Sequence, residues 1–383
     1  MKGRCAKMRW AKIILSMFII IILIFSSIIY IRTKHNGYYR RHKSIIKYFL
    51  KDKSVFNNIK QYQKERQARK ETDEYYFNKT LKRNGKKPLV LPTYEKTGQA
   101  VHPDILFRSN GLKGNKYWLA YTPYPYSNDK FENPHVAVSD DGKKFFLKKG
   151  MRNPVVEPPS DVTEGGHFSD TDLMYEDNNF ILHYVYNKRG VLGPSKFFRV
   201  KSLDGIKWTK PELVFTSSLT NQGYSPAFIK EKDEVKMWYL AGENNLVLFE
   251  SKDDEKSWGN MKKCNIKIQG WVPWHIDVIK TDKGYEGVVC ARKIKTTNNR
   301  LLRALFYTYS SDGINWTVTK YPIIYPNRES WDNDQIYRAT ILKDGGKYKI
   351  WYSALDENGI WNTGNCEFTK DEIENAEFGE RTA

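Results

Sequence analysis

Read from its N-terminus, the chain passes through three regimes of apolar and polar residues. Ile13 to Ile31 form an uncharged run of nineteen residues, IILSMFIIIILIFSSIIYI. At a helical rise of about 1.5 Å per residue it matches the hydrocarbon core of a bilayer. It is longer than a typical signal-peptide core, and no A-x-A-like cleavage site follows it. An uncleaved signal anchor is expected, with membrane lipid as its partner. From 35 to 87 the apolar positions Ile45, Ile46, Tyr48, Phe49, Val55, Phe56 and Ile59 recur at roughly helical spacing among basic residues. That pattern predicts a helical stalk, either solvated or lying on an anionic surface.

From about residue 100 to 370 a compound unit recurs five times: a short strand, a polar turn, then an aromatic-rich strand. The copies read HPDILF…KYWLAY, SDTDLMY…NFILHY, YSPAFIK…VKMWYL, WHIDVIK…YEGVVC and YRATILK…YKIWYS. The first four are followed by a Ser-x-Asp-Gly-x-x-aromatic turn or a degraded form of it, at Ser139 to Phe145, Ser202 to Trp208, Ser251 to Trp258 and Ser311 to Trp316. Asp-Gly suits a tight turn, and the aromatic residue packs on the next strand. Units that cannot bury their faces alone must stack, so the expected fold class is all-β, a five-bladed β-propeller rather than a sandwich. The expected organisation is a cytoplasmic tail and anchor over 1–34, a basic juxtamembrane stalk over 35–90, the propeller over 91–372 and a tail over 373–383.

Composition changes this picture in one respect. The net charge of +19 suggests a nucleic-acid partner, but residues 1–87 hold 23 Lys and Arg against 5 Asp and Glu, whereas the remaining 296 hold 40 against 39. The propeller is electrically neutral and no nucleic acid is expected to bind it. Basic residues flank the apolar run almost equally on both sides, so charge does not set its orientation. A single-pass arrangement with the N-terminus inside and the propeller outside the cell follows from the expected domain type. Cys5, Cys264, Cys290 and Cys366 show no CxxC spacing, so neither a zinc signature nor a disulfide framework is expected.

Aligned on the aromatic strands, Asp170, Ser225, His275 and Arg338 occupy one equivalent position, which His102 joins if a longer turn in the first unit is allowed. Asp104, Asp172, Ala227, Asp277 and Thr340 stand two residues further on, on the same strand face. If these are the innermost strands, carboxylates, imidazoles and a guanidinium ring the propeller axis. Buried groups of that kind ordinarily have a partner or a task. Converging carboxylates suit acid–base work on a glycosidic bond, one activating water and the other protonating the leaving oxygen. Tyr224, Trp271, Trp274 and Tyr337 beside the ring are candidate sugar-stacking platforms. His102, Asp170, Ser225, His275 and Arg338 are candidate substrate binders. No cofactor is expected, and a structural calcium ion held by Asp and His around the axis is the one metal reading.

HPD at Asp104, SDTD at Asp172 and the five units resemble the five-bladed glycoside hydrolases of family 43 and their relatives, over about residues 95–370. The resemblance implies Asp104 as general base and Asp172 or Asp170 as the residue that orients and tunes it. The third-unit stretch Tyr224-Ser225-Pro226-Ala227 lacks the family's acid, for which Asp277, Glu132 or Glu243 could substitute. Together with the apolar run 13–31, the resemblance implies a membrane-anchored, inverting glycosidase acting on a surface polysaccharide, in which Asp104→Asn abolishes cleavage. Two alternatives stay open. One is a glycan-binding propeller without turnover. The other is a phosphorylase or glycosyl-transferring enzyme with Arg338, His275 and Arg292 clamping the acceptor.

Overall fold

The computed structural model describes residues 64, 67–68, 70–85, 87–191, 193–218, 222–242, 244–294 and 301–378. The apolar run 13–31, most of the basic stretch after it and Glu243 lie outside the described residues. Among the described residues no helix is long and apolar enough to cross a membrane.

The strands fall into five antiparallel sheets, each read from the axis outward in chain order. The first blade is Ala100–Leu112 (β1), Asn115–Pro123 (β2) and His135–Ser139 (β3); the second is Gly166–Glu176 (β4), Asn179–Lys188 (β5), Lys196–Ser202 (β6) and Glu212–Thr216 (β7). The third is Gly223–Glu231 (β8), Glu234–Ala241 (β9), Asn245–Ser251 (β10) and Lys262–Lys263 (β11). In the fourth, Asn265–Ile266 (β12) joins in parallel the outer strand of the series Trp271–Thr281 (β13), Gly284–Lys293 (β14), Arg303–Ser310 (β15) and Asn315–Val318 (β16). The fifth is Gln335–Asp344 (β17), Lys347–Leu355 (β18) and Trp361–Thr369 (β19). The five segments aligned in the sequence are thus β1, β4, β8, β13 and β17, the innermost strand of every blade.

The core lies in the seams between blades, where the second strands contribute wholly buried aromatics such as Trp118, Trp238 and Trp351. One seam joins Trp118 of the first blade to Phe180 and Leu182 of the second. Ser-x-Asp-Gly turns shape these seams. They close the third strand of blades one to four: the serine Oγ accepts from the glycine N–H in three of them, at 2.9 Å for Ser139, 2.8 Å for Ser202 and 2.9 Å for Ser310, and the aspartate accepts the next two amides. In the fourth blade the capping serine is therefore Ser310, not Ser311, because the turn needs the hydroxyl three residues ahead of Gly313. Gly205 has a φ of +72°, and a Cβ there would stand 2.2 Å from the Trp118 ring, so both backbone and packing demand glycine.

The segment expected to be a basic helical stalk is docked on the propeller at its C-terminal end. A helix through 70–77 sets Asp73 against the Tyr325 hydroxyl at 2.8 Å and Arg328 at 2.9 Å, while Tyr76 stacks on Tyr325. Arg83 reaches Asp332 at 2.7 Å. At the other terminus the short helix Lys370–Glu374 is capped by Thr369, and Phe378 packs on Tyr307 and Tyr309. Residues 373–378 are accordingly part of the propeller surface. Cys264, Cys290 and Cys366 are buried free thiols.

Candidate functional site

The axial residues owe their placement to a repeated irregularity. In all five innermost strands the pairing register slips at or within one residue of the aligned position: between Val101 and Asp104, Ser169 and Asp172, Tyr224 and Ala227, Pro273 and His275, and Ile336 and Ala339. His102, Asp170 and Ser225 are the bulged residues, with φ of 54°, 53° and 54°. Left-handed backbone costs a non-glycine residue about 1–3 kcal/mol, and a bulge re-aims the side chain it carries. The bulges split what the sequence presents as one tier into two layers along the axis.

The layer nearer the strand C-terminal ends holds Asp104, Asp172, Asp277 and Thr340, and it binds blade to blade. Asp104 accepts from the Leu173 N–H, Asp172 from the Phe228 N–H at 3.0 Å and Asp277 from the Ile341 N–H at 2.8 Å. Thr340 Oγ1 accepts from the Ile105 N–H at 3.3 Å and donates to Asp104 at 3.1 Å. At the remaining junction Ala227 offers nothing, and Ser225 Oγ accepts from the Ile276 N–H at 3.1 Å instead. Each of the five blade junctions therefore has one side chain closing a backbone amide at the axis. The three carboxylates also border a cavity of about 300 Å³ whose outer lining includes Arg108, Glu176, Lys230 and Lys280.

Burial pushes all three carboxyls above their ordinary range. Asp172 rises further through the charges of Asp104 and Asp277, and Asp277 is raised to about 7 by burial and then by Asp104. A carboxyl raised in the folded state contributes stability that is present below its unfolded value and lost as pH climbs through the folded one. Relative to wild type, Asp277→Asn should therefore gain stability progressively between about pH 4 and pH 7, on the order of 2–4 kcal/mol at the upper end. Urea melts of both proteins across that window would check this, and a constant difference would contradict it. Asparagine keeps an oxygen for the Ile341 amide.

The second layer, toward the strand N-terminal ends, forms a cup. Asp170 is its centre. Its Oδ1 lies 3.2 Å from Arg338 Nη1, 3.3 Å from His275 Nδ1 and 3.5 Å from His102 Nε2, and its Oδ2 accepts from Ser169 at 3.1 Å. Arg338, which is 0% exposed, also donates to the Pro226 carbonyl at 3.1 Å. Burial opposes the charge on Asp170, but His102, His275 and Arg338 outweigh it and hold the carboxyl well below its usual range. Burial takes the two imidazoles the other way, His102 down to about 3 and His275 to about 4, so both are neutral. His102 Nδ1 meets the Thr122 hydroxyl at 2.9 Å, whereas His102 Nε2 and both nitrogens of His275 make no hydrogen bond among the described residues.

Glu132 closes the cup beyond His102, with Oε1 3.7 Å from His102 Nδ1 and Oε2 3.8 Å from His167 Nε2. Its backbone carbonyl accepts from the Phe168 N–H, which ties it to the start of the second blade. Burial, then the charges of Asp170 and Asp129, push its carboxyl well above the ordinary value. An aromatic wall completes the rim: Tyr337 stands 4.6 Å from the His275 ring, Tyr224 6.1 Å from it, and Trp274 packs on Tyr224 at 5.4 Å. Trp271 points elsewhere, into the seam with Phe306 and Tyr76.

The structure thus brings His102, Asp170, His275, Arg338 and Glu132 together with the aromatic residues. It sets Asp104, Asp172 and Asp277 in the neighbouring layer, where none contacts Glu132. His167 and Arg303 belong to the surroundings of the cup without having been singled out by sequence. His167 was visible as the residue three ahead of Asp170, but Arg303 lies on a third strand that the five-unit alignment did not include.

Five sheets around a polar axis make the chain a five-bladed β-propeller of the type found in glycoside hydrolases of families 43 and 62. No protein-family model matches the sequence. The chain is similar, at 26% identity over 316 residues, to the A type blood N-acetyl-α-D-galactosamine deacetylase of Flavonifractor plautii. That alignment takes in 68% of this chain and 40% of the relative, so the chain spans well under half the length of the curated protein it matches. The crystal structure of an N-acetylgalactosamine deacetylase from F. plautii with blood group B trisaccharide superposes with a TM-score of 0.64 at 21% identity, over 76% of this chain and 96% of that one. An α-L-arabinofuranosidase from Podospora anserina in complex with cellotriose superposes with a TM-score of 0.51 at 11% identity, over 76% and 98%.

Proposed function

We propose that the protein is a hydrolase of a glycan's acetamido group, working in the cup around Asp170, with the apolar run 13–31 as its membrane anchor and the propeller outside the cell. The observation that carries this reading is the arrangement of two neutral, hydrogen-bond-poor imidazoles on one ionised carboxylate oxygen. His102, Asp170 and His275 lie close enough to share one metal ion. Their 3.3 and 3.5 Å spacings compare with the edge of about 3.4 Å of a tetrahedron of ligands at about 2.1 Å. Arg338 uses one lone pair of Asp170 Oδ1 and leaves the other. A donor set of two imidazoles and a carboxylate therefore fits a first-row divalent cation, with His102, Asp170 and His275 holding it. When bound, such an ion supplies charge to polarise a carbonyl and water to attack it.

The chain's own residues do the rest. Arg338 keeps Asp170 ionised, and Thr122 orients the His102 ring. Glu132 is the carboxyl of the cup not paired with a cation among the described residues, and its ionised form exchanges protons: it takes one from the attacking water and delivers it to the departing amine as the C–N bond breaks. Acetate and a free amino sugar leave. Tyr337, Trp274 and Tyr224 hold the sugar ring by its apolar face. The similarity to a deacetylase supports this reading.

One observation favours a second reading, inverting hydrolysis of a glycosidic bond. The Glu132 carboxyl is held above the ordinary range and that of Asp170 below it, on opposite sides of one imidazole, the division of labour that acid and base require. By family resemblance the base could instead be Asp104, tuned by Asp172, with Asp277 as an alternative acid. Incubation with an N-acetylated oligosaccharide separates the two readings. Acetate release without new reducing ends is expected; new reducing ends without acetate would overturn the deacetylase, and binding with neither would leave a lectin. Calorimetric titration with Zn²⁺ or Mn²⁺ should show one site in the chelator-treated protein and none in His275→Ala.

A further inference from the structure

Two arginines stand at the rim of the cup with no acidic partner among the described residues. Arg292 on β14 and Arg303 on β15 face each other directly in the sheet register. Like charges opposed across strands destabilise a sheet unless something offsets them. Arg303 is only 7% exposed; its Nη1 donates to Gln335 Oε1 at 3.1 Å and its Nε bonds nothing. Both guanidinium groups lie over the Trp274 ring, Arg292 at 5.4 Å and Arg303 at 5.0 Å, and Arg303 also lies 5.0 Å from the Tyr337 ring. Trp274 Nε1, buried beside them, makes no hydrogen bond among the described residues either.

A buried guanidinium held only by an amide and two ring faces is expensive. Desolvating a cation is costly, and a cation–π contact returns only part of that cost. The second arginine raises the cost. The pair is one aromatic ring away from His275, since Tyr337 touches both Arg303 and the His275 ring. A group bound there belongs to the sugar in the cup or to its immediate neighbour in the chain.

We infer that Arg292 and Arg303, with the Trp274 indole N–H, form an anion subsite, and that the glycan carries an oxyanion, either the carboxylate of a uronic acid or a phosphate ester. This deepens the proposed function by naming the substrate class, and it rests on that reading only for which sugar the anion is attached to. Forked guanidinium groups match both kinds of oxyanion, whereas a neutral sugar would leave the pair unpaid.

The test is binding of inorganic phosphate and of acetate to the full chain, at ionic strength held constant with chloride. It is read from the Trp274 indole N–H resonance, assigned by its loss in Trp274→Phe. Saturable shifts at millimolar anion are expected in wild type. The dissociation constant should rise at least tenfold in Arg292→Met and in Arg303→Met and be largely kept in Arg292→Lys. Arg292 is half-buried, so its variants stay informative if Arg303→Met fails to fold. Preference for phosphate assigns a phosphorylated glycan, and preference for acetate a uronate. No saturable shift with either anion, or an unchanged affinity in Arg292→Met, overturns the subsite and makes the pair a brace for Trp274. The hydrolase reading survives that result if acetate is still released from a neutral oligosaccharide. If the anions bind but no glycan is turned over, it is the hydrolase reading that falls.

Discussion

Glu132→Gln is expected to lower kcat by a factor of about 10³, the range for loss of a proton-transferring group, while melting no lower than wild type. The two effects have opposite signs for one reason. Glu132 is buried, and its carboxyl makes no hydrogen bond among the described residues and lies 3.7 Å from His102 Nδ1, so glutamine of the same shape removes nothing seen to hold the fold. A carboxyl raised by burial gives up stability as pH rises through its folded-state value, and glutamine does not. The variant should therefore match wild type in acid and exceed it toward alkaline pH, and KM should change far less than kcat. Asp104→Asn is the contrast. Its carboxylate closes the Leu173 amide and bonds Thr340, so asparagine, which keeps an acceptor, should retain turnover. Loss of activity in Asp104→Asn but not in Glu132→Gln would move the chemistry to the other layer.

Arg338→Met should be the most destabilising single change at the axis, by about 3–5 kcal/mol in urea denaturation, because it strands a buried anion. Arg338 is the one permanent cation on Asp170 and also bonds the Pro226 carbonyl of the third blade, so its fork ties the second, third and fifth blades together. The pH dependence identifies the cause. A depressed carboxyl contributes stability above its unfolded value that is lost as pH falls, so the deficit of Arg338→Met should be full at pH 6 and shrink below about pH 4. A deficit that did not shrink in acid would point to lost packing alone. Arg338→Lys should recover part of it, since an ammonium keeps the charge but cannot span both acceptors as a planar fork does.

Much of this was legible in the chain. Periodic recurrence of the strand pair gave the blade count and named the innermost strands, because a repeat must present the same residues to the axis each time. His102, Asp170, His275 and Arg338 were visible as polar residues at one position of an otherwise apolar pattern, where burial without function is costly. The bulges were not legible. Nothing in HPD, SDTD or YSP announces a left-handed residue. Without it Asp104 and His102 read as one tier, and Asp104 looked like a base rather than a clasp between blades. The same limit hid the docking of 70–77, which depends on Tyr325 and Arg328, some 250 residues away in the chain.

By itself the sequence determined the fold class, the five blades and the set of polar residues at the axis, since these follow from periodicity and from the expense of burying charge. Only the tertiary structure decided which carboxylates clasp blades and which share a cup with two imidazoles. It also decided that the Glu132 carboxyl is raised while that of Asp170 is depressed, and that Arg292 faces Arg303 with no acid between them among the described residues. Protonation and pairing depend on distances of a few ångströms between residues far apart in the chain, and those distances exist only once the blades have closed around the axis.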